Sequence, residues 1–564
     1  MSERPRVPIA LLPTGVPGLD EVLGGGLPEY SFNLIMGTPG AGKTTLAHQL
    51  MFALAAPGRP ALYCTVLGEP PIKMLRYQQQ LDFFDPTRVG ADIRFMDLAD
   101  AVLEQDLDAV LARIVGEVEA TGPGLVIVDS FHGIVRAATG RDPSGLSLQG
   151  FVQRLALHLT TWQATTFLVG EYAADELSGN PVFTVADGIL WLSQNVARNS
   201  VVRTLRVVKS RGQASMPGLH TFRITRAGLQ VFPRMSLPRA AAGAPPAAAE
   251  SPGGRLATGV AGLDALLGGG LPAGDAVIVT GPSGAGKSVL AAQFIAEGAR
   301  GGEPGVIAVF EEHPRAYLRR AGTFGLDLEA LLRRGALEII YLRPLDLSPD
   351  EMLAEIRAAV ARIGARRVVI DSVSGFELAL APAFREDFRE SLYRLVGALT
   401  GTGVTVLLTM ELAHPADDPH LSPYLISFLA DDILLLHYAE RAGELRKSLA
   451  VVKMRNSDHS KELRRYEITG QGLIVRERLA DAGGAGSAGQ PGLTDRELTV
   501  LRALIELGEA PAAALAGRTG LAEGDLAAAL DRLVSLTYTV RVEGAAGGVY
   551  RALARPLAEE EGRR

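Results

Sequence analysis

The chain reads as an α/β protein: two tandem domains, each a mainly parallel sheet with helices on both faces, followed by a small winged-helix-like domain. Three observations carry that expectation. A glycine-rich loop, Gly281-Pro282-Ser283-Gly284-Ala285-Gly286-Lys287-Ser288, stands between the apolar run Asp275–Thr280 and the helical stretch Val289–Ile295. A second copy, Gly37-Thr38-Pro39-Gly40-Ala41-Gly42-Lys43-Thr44-Thr45, precedes it by 244 residues. Downstream of both loops, short β-rich apolar runs alternate with amphipathic Ala/Leu-rich segments, the pattern of strands and crossover helices in a parallel sheet.

Taken in order, the first domain is expected over residues 1–232. The repeat starts upstream of the loops, because Thr14–Pro28 (TGVPGLDEVLGGGLP) returns as Thr258–Pro272 (TGVAGLDALLGGGLP) at the same offset of 244 residues. An Ala/Pro/Gly linker over 233–254 leads to the second domain, 255–480, and a Gly-rich linker, 481–492, follows it. The last domain, 493–556, should hold a helix over Asp495–Leu507 capped by Thr494, and helices over Pro511–Arg518 and Glu523–Leu536. A hairpin of Thr537–Val542 and Gly548–Leu553 would complete it, ahead of a charged tail, 557–564. Its third helix sets Glu523, Asp525 and Asp531 against Arg532, a poor face for DNA phosphates.

With 47% hydrophobic and 21% charged residues over 564 positions, the chain can bury large cores. A net charge of −7 gives no electrostatic footprint for nucleic acid as a whole. Cys64 is the only cysteine, which excludes an intrachain disulfide and any cysteine-based zinc or iron–sulfur site. The first thirty residues lack a secretory pattern, and no apolar run approaches a membrane span, so a cytoplasmic protein is expected.

The loops specify phosphate chemistry. Their glycines let the backbone turn tightly and aim several N–H groups at one anion, and the following helix adds its free amides. Lys43 and Lys287 would reach the β- and γ-phosphates, with the Thr44 and Ser288 hydroxyls on Mg²⁺. Thr45 and Val289 continue into the helices that line the ATP-binding loops. A strand ending in an acid should lie beside the loop strand to hold the metal shell, and Leu125–Asp129 and Arg367–Asp371 supply it. The paired carboxylates Glu311 and Glu312 offer a base for the attacking group. The first domain has Thr65-Val-Leu-Gly68-Glu69 there, read as glycine in place of the first glutamate with Glu69 as the survivor. The first site is therefore expected to bind ATP and hydrolyse it poorly.

Loop, glutamate pair, acid-terminated strand and tandem repeat together resemble the KaiC family, two-domain clock ATPases of the RecA superfamily, over about residues 10–475. The resemblance implies two tandem RecA-like P-loop domains with Mg-ATP at the subunit interfaces of a homohexameric ring. It also implies that Lys453 and Arg455, and Lys209 and Arg211, reach the γ-phosphate of a neighbouring subunit. Glu171 and Glu411 are placed to sense that phosphate. The family autophosphorylates an adjacent Ser-Thr pair in its second domain; here the pair counts to Ser427-Phe428, leaving Ser427 as sole acceptor. The C-terminal domain lies outside the resemblance and points to a signalling ATPase with an unidentified protein partner. A RecA-type DNA-dependent ATPase or a transcription regulator using that domain are the competing readings, and the acidic composition argues against DNA.

Overall fold

A computed structural model of the chain describes residues 9–66, 71–104, 106–135, 146–172, 181–197, 200–234, 254–342, 347–412, 429–441, 444–455, 457–478, 496, 499–500, 503–504, 509–535, 539–544 and 547–552. Packing divides the chain into two units, Met1–Leu479 and Ala480–Arg564, and both repeats lie in the first.

The first repeat contains β1 (Phe32–Gly37), α1 (Lys43–Leu54), β2 (Ala61–Thr65), α2 (Pro71–Gln78), β3 (Ile93–Asp97), α3 (Leu107–Thr121), β4 (Leu125–Asp129), α4 (Leu146–Thr161) and β5 (Thr165–Glu171). It closes with β6 (Gly188–Ala197), β7 (Ser200–Ser210), β8 (His220–Thr225) and β9 (Gly228–Phe232). These strands form one nine-stranded sheet in the order β3-β2-β4-β5-β1-β6-β7-β8-β9. The strands from β3 to β6 run parallel, and β7 to β9 return antiparallel.

The second repeat runs through β10 (Ala276–Gly281), α5 (Lys287–Arg300), β11 (Gly305–Val309), α6 (Pro314–Thr323), β12 (Leu337–Tyr341), α7 (Pro349–Ile363), β13 (Arg367–Asp371), α8 (Phe388–Thr400) and β14 (Thr405–Glu411). Its closing strands are β15 (Asp432–Arg441), β16 (Glu444–Met454), β17 (Arg464–Thr469) and β18 (Gly472–Arg478). The sheet order β12-β11-β13-β14-β10-β15-β16-β17-β18 reproduces that of the first repeat strand for strand.

The sheets are buried on both faces because strand side chains alternate. Leu34 and Met36 enter one core while Ile35 enters the other, and Val277 and Ile278 divide in the same way. One expectation needs correction. The acid-bearing strands do not lie beside the loop strands: β5 separates β4 from β1, and β14 separates β13 from β10. The inserted strands end in Glu171 and Glu411, paired in register with Gly37 and Gly281, so three strand ends converge on each loop.

The repeats also meet each other. Thr221 on β8 shares a 2.7 Å hydrogen bond with Ser348, the N-cap of α7, and Arg223 pairs with Glu351 in the first turn of that helix.

In the second unit, α9 (Ala512–Thr519) and α10 (Glu523–Ser535) precede a hairpin of β20 (Thr539–Gly544) and β21 (Gly547–Ala552). A short strand, β19 (Glu509–Pro511), pairs with β21 and adds a third strand to the expected hairpin. Proline at the end of this edge strand needs no donor, which is how Pro511 closes β19 and leads into α9. The helix expected over 495–507 lies largely outside the described residues. None of the described helices is long and apolar enough to cross a membrane.

Asp432, at the start of β15, is wholly buried, and neither carboxylate oxygen has a hydrogen-bond partner among the described residues. Burial, then Asp275 and Asp431, push its pKa up to about 7 against the pull of Arg255 and Lys453. The first repeat has Gly188 at this position. The folded protein thus keeps a proton that the unfolded chain releases near pH 4, so stability falls as pH rises from about 4 to about 7. Asp432→Asn is expected to stabilise the protein at pH 8 by up to about 4 kcal/mol, at ~1.4 kcal/mol per pKa unit, with little change at pH 4. Denaturant midpoints at the two pH values measure this; equal shifts at both would remove the carboxyl as the cause.

Candidate functional site

Both glycine-rich loops span from a buried strand to a helix N-terminus, and their first glycines are obligatory. Gly37 and Gly281 have φ of 145° and 158°, and a Cβ there would come within 1.7 Å of Leu192 O and 2.3 Å of Leu436 O, respectively. Gly42 and Gly286 cap α1 and α5 in the left-handed region, which frees the first helical amides for an anion. Neighbouring strands fix the loop backbone. Tyr466 donates to Ala285 O at 2.5 Å, Lys447 to Gly284 O at 3.3 Å and Gln194 to Pro39 O at 3.3 Å.

Lys287 Nζ donates to the carbonyls of Gly281 and Pro282 at 2.8 and 2.9 Å, and Lys43 Nζ to Thr38 O at 2.8 Å. Burial pushes both lysines down; Glu411, Asp371 and Glu311 oppose it at Lys287, and Glu171 and Asp129 at Lys43. Glu171 lies 3.6 Å from Lys43. The strand-end acids and the loop lysine therefore share one electrostatic centre in each repeat.

In the first repeat the two residues expected to hold the metal lie together: Thr44 Oγ1 donates to Asp129 Oδ2 at 2.8 Å. Burial raises the Asp129 carboxyl, while hydrogen bonds from Tyr63 and Thr44 and the charge of Lys43 lower it. In the second repeat Asp371 accepts a 2.5 Å bond from Thr409 Oγ1, and Ser288 stands in the first turn of α5. One hydroxyl and one carboxylate per repeat fit Mg²⁺, which takes its remaining ligands from phosphates and water. The peptide bonds Asp129–Ser130 and Asp371–Ser372 are both cis.

The two glutamates after β11 part company. Ser372 Oγ donates to Glu311 Oε1 at 2.9 Å, which holds that carboxylate next to Asp371. Glu312 instead pairs with Arg320 of α6 at 2.9 Å.

Sheet register revises the comparison with the first repeat. Thr65 is paired with Asp129 and Val309 with Asp371, and Leu98 N and Leu342 N donate to the carbonyls of Thr65 and Val309. Counting on from these equivalent strand ends sets Leu67 and Gly68 opposite Glu311 and Glu312, and Glu69 opposite His313. Both carboxylates are missing from the count, where the sequence suggested that one survived. Glu69 itself lies outside the described residues, as does Ser427.

Lys209 and Lys453 occupy equivalent places on β7 and β16, opposite Ile189 and Ile433, which pair with Leu34 and Ile278 of the loop strands. That level is three residues below Gly37 and Gly281, about 10 Å along the strand, on the side away from the loop. Lys209 Nζ donates to Phe183 O and Thr184 O at 3.1 Å, and Lys453 Nζ to Ala430 O at 2.6 Å. Arg211 and Arg455 each lie 3.1 Å from an aspartate, Asp187 and Asp431. Both cation pairs thus sit at the foot of their sheet, turned from the loop of their own repeat.

Sequence reasoning passed over Thr409, Ser372 and Tyr63, which bond the site carboxylates. The available signal was position: Ser372 follows the acid, and Thr409 stands two residues before Glu411 on the same strand face.

The family model for the KaiC ATPase matches residues 12–236 and 256–480. The chain is 28% identical over 478 residues to the circadian clock oscillator protein KaiC of Picosynechococcus sp., covering 82% of this chain and 89% of the relative. It is similarly 28% identical to the KaiC of Prochlorococcus marinus, over 83% of this chain and 93% of that protein. The same identity holds to KaiC 1 of Synechocystis sp., over 84% and 90%.

Proposed function

We propose, from the premise that this chain belongs to the KaiC ATPase family, that it is a regulatory ATPase whose second repeat hydrolyses Mg-ATP and whose first mainly holds it. The observation that carries this reading is Glu311, held by Ser372 beside Asp371, with no carboxylate at the counted positions 67 and 68. Glu311 would take the proton of the attacking water, Lys287 would bind the β- and γ-phosphates, and Ser288 and Asp371 would hold the ion, as Thr44 and Asp129 would in the first repeat. Bound Mg²⁺ would supply neutralisation of phosphate charge.

The position of Lys209, Arg211, Lys453 and Arg455 at the foot of their sheets supports their serving a neighbouring subunit's loop, hence a closed ring, read as a hexamer by family resemblance. Glu312, tied to Arg320, serves as a secondary acid, and Glu69 has no assigned partner in this scheme. We place the protein in the cytoplasm, with its output to a protein partner through the C-terminal unit. The helix pair followed by a hairpin, with a short strand before it completing a three-stranded sheet, supports a winged helix in that unit and, as a second reading, a nucleotide-dependent transcription regulator.

The test is ATP turnover and protein-bound phosphate measured side by side, with and without DNA. Turnover unaffected by DNA is expected, and strong stimulation would favour a DNA-dependent ATPase instead. Incorporated phosphate that disappears in Ser427→Ala supports autokinase activity at Ser427. Turnover with no bound phosphate removes the kinase and leaves the ATPase. Deleting residues 493–564 isolates any DNA binding to the C-terminal unit.

A further inference from the structure

The acid of the first metal site is served by side chains that the second repeat lacks. Tyr63 Oη on β2 donates to Asp129 Oδ2 at 2.8 Å, the same oxygen that accepts from Thr44 at 2.8 Å; Oδ1 takes neither bond. The tyrosine is fully buried, with its ring 4.7 Å from that of His48 on α1. Gln78, at the end of α2, hydrogen-bonds the His48 ring at 2.7 Å to Nε2, and both side chains are buried. The tyrosine that bonds the site acid is therefore packed against a histidine of α1, which a glutamine of α2 holds in turn.

The offset of 244 residues holds from the loops to β3 and β12, so the counterparts of His48, Tyr63 and Gln78 are Ala292, Ile307 and Gly322. All three polar side chains are absent together. The second repeat supplies a strand donor from the opposite flank, where Thr409 on β14 bonds Asp371 Oδ1, and its own buried tyrosine beside the acid, Tyr317, comes from α6 rather than from the sheet. The first repeat has Val169 at that place, paired in register with Asp129. Each acid thus receives one strand hydroxyl, and the strand that supplies it has changed sides.

We propose that Tyr63, braced by His48 and Gln78, is the positioning residue that fixes Asp129 in the first repeat's metal site. The proposal rests on the reading of Asp129 as the metal-holding acid. Thr44 would hold the ion through a lone pair of Oγ1 and could still donate its proton to Asp129 Oδ2, where Tyr63 is the second donor that keeps the carboxylate from turning. Outer-shell partners of this kind orient the ligand and tune metal affinity.

The test uses the full chain carrying Lys287→Ala, so that nucleotide binding reports the first loop. Binding of a fluorescent ATP analogue is titrated against Mg²⁺ and repeated in EDTA, with thermal midpoints recorded. Tyr63→Phe should raise the Mg²⁺ concentration for half-saturation about 10-fold and leave affinity in EDTA unchanged. Adding Val169→Thr, which recreates the donor of the second repeat, should restore the Mg²⁺ dependence. An unchanged Mg²⁺ midpoint in Tyr63→Phe, beside a shifted one in Asp129→Asn, overturns the proposal alone. Equal weakening with and without Mg²⁺, together with a lower thermal midpoint, marks a packing role and also overturns it. No shift in Asp129→Asn removes the metal reading, and the proposal with it.

Discussion

Glu311→Gln is expected to lower ATP turnover of the whole chain by about 10²- to 10⁴-fold, the range a positioned general base contributes, while ATP binding is retained. The substitution keeps the shape of the side chain and can keep the contact with Ser372, so the loop, Lys287 and Asp371 stay in place. It removes only the capacity to take a proton. The loss should reach the whole chain because the register leaves Leu67 and Gly68 at the counterpart positions, and neither side chain accepts a proton. Steady-state phosphate release and nucleotide binding, measured on the same preparation, decide the matter. Turnover near wild type would remove Glu311 as the base. A residual rate of about half would instead mean that the first repeat turns over through a group outside the present assignment. Glu312→Gln should cost far less, since that carboxylate is engaged with Arg320.

What could be read from the chain alone follows from which residues chemistry constrains. The two loops were legible because glycines, lysine and hydroxyl are required at fixed spacing, with a strand before and a helix after. The acids Asp129 and Asp371 and the Lys-x-Arg pairs were legible because they recur in both repeats. Spatial order of strands is another matter: nothing in Thr165–Glu171 or Thr405–Glu411 says that these strands slip between the acid strand and the loop strand. The two ways of placing Glu69 also have a physical origin. A lone glutamate among glycine and prolines invites alignment by residue type, whereas counting from the strand ends at Thr65 and Val309 sets it opposite His313. Tyr63, His48 and Gln78 carried no signal because a tyrosine in a β-run and a histidine on a buried helix read as core, and their contact depends on the packing of α1 and α2 against the sheet. Asp432 was invisible for the opposite reason: a carboxylate at a strand start reads as exposed, and only the packing around β15 shows it wholly buried.

Arg455→Ala is expected to reduce turnover about 10³-fold, the lower end of what an arginine supplied to a transferring phosphate contributes. The guanidinium would do this without touching its own loop, since it lies at the foot of the sheet beside Asp431 while the loop is at the other end. A cis role would need the side chain to span that separation against its ion pair. A trans role needs only a neighbour packed head to tail, which is the contact that closes a ring. Co-assembly of two inactive variants separates these accounts. A Glu311→Gln subunit lacks the base but carries an intact Lys453 and Arg455; an Arg455→Ala subunit lacks the arginine but carries an intact base. If the site is shared, random mixing in equal amounts pairs an intact base with an intact arginine at about a quarter of the head-to-tail interfaces. Activity should then return to about that fraction of wild type, although neither variant works alone. If each chain completes its own site, every site in the mixture lacks one group and no activity returns. Lys209→Ala and Arg211→Ala in an otherwise unchanged chain should leave hydrolysis largely intact, because a neighbour's first-repeat loop would offer those cations no counted base.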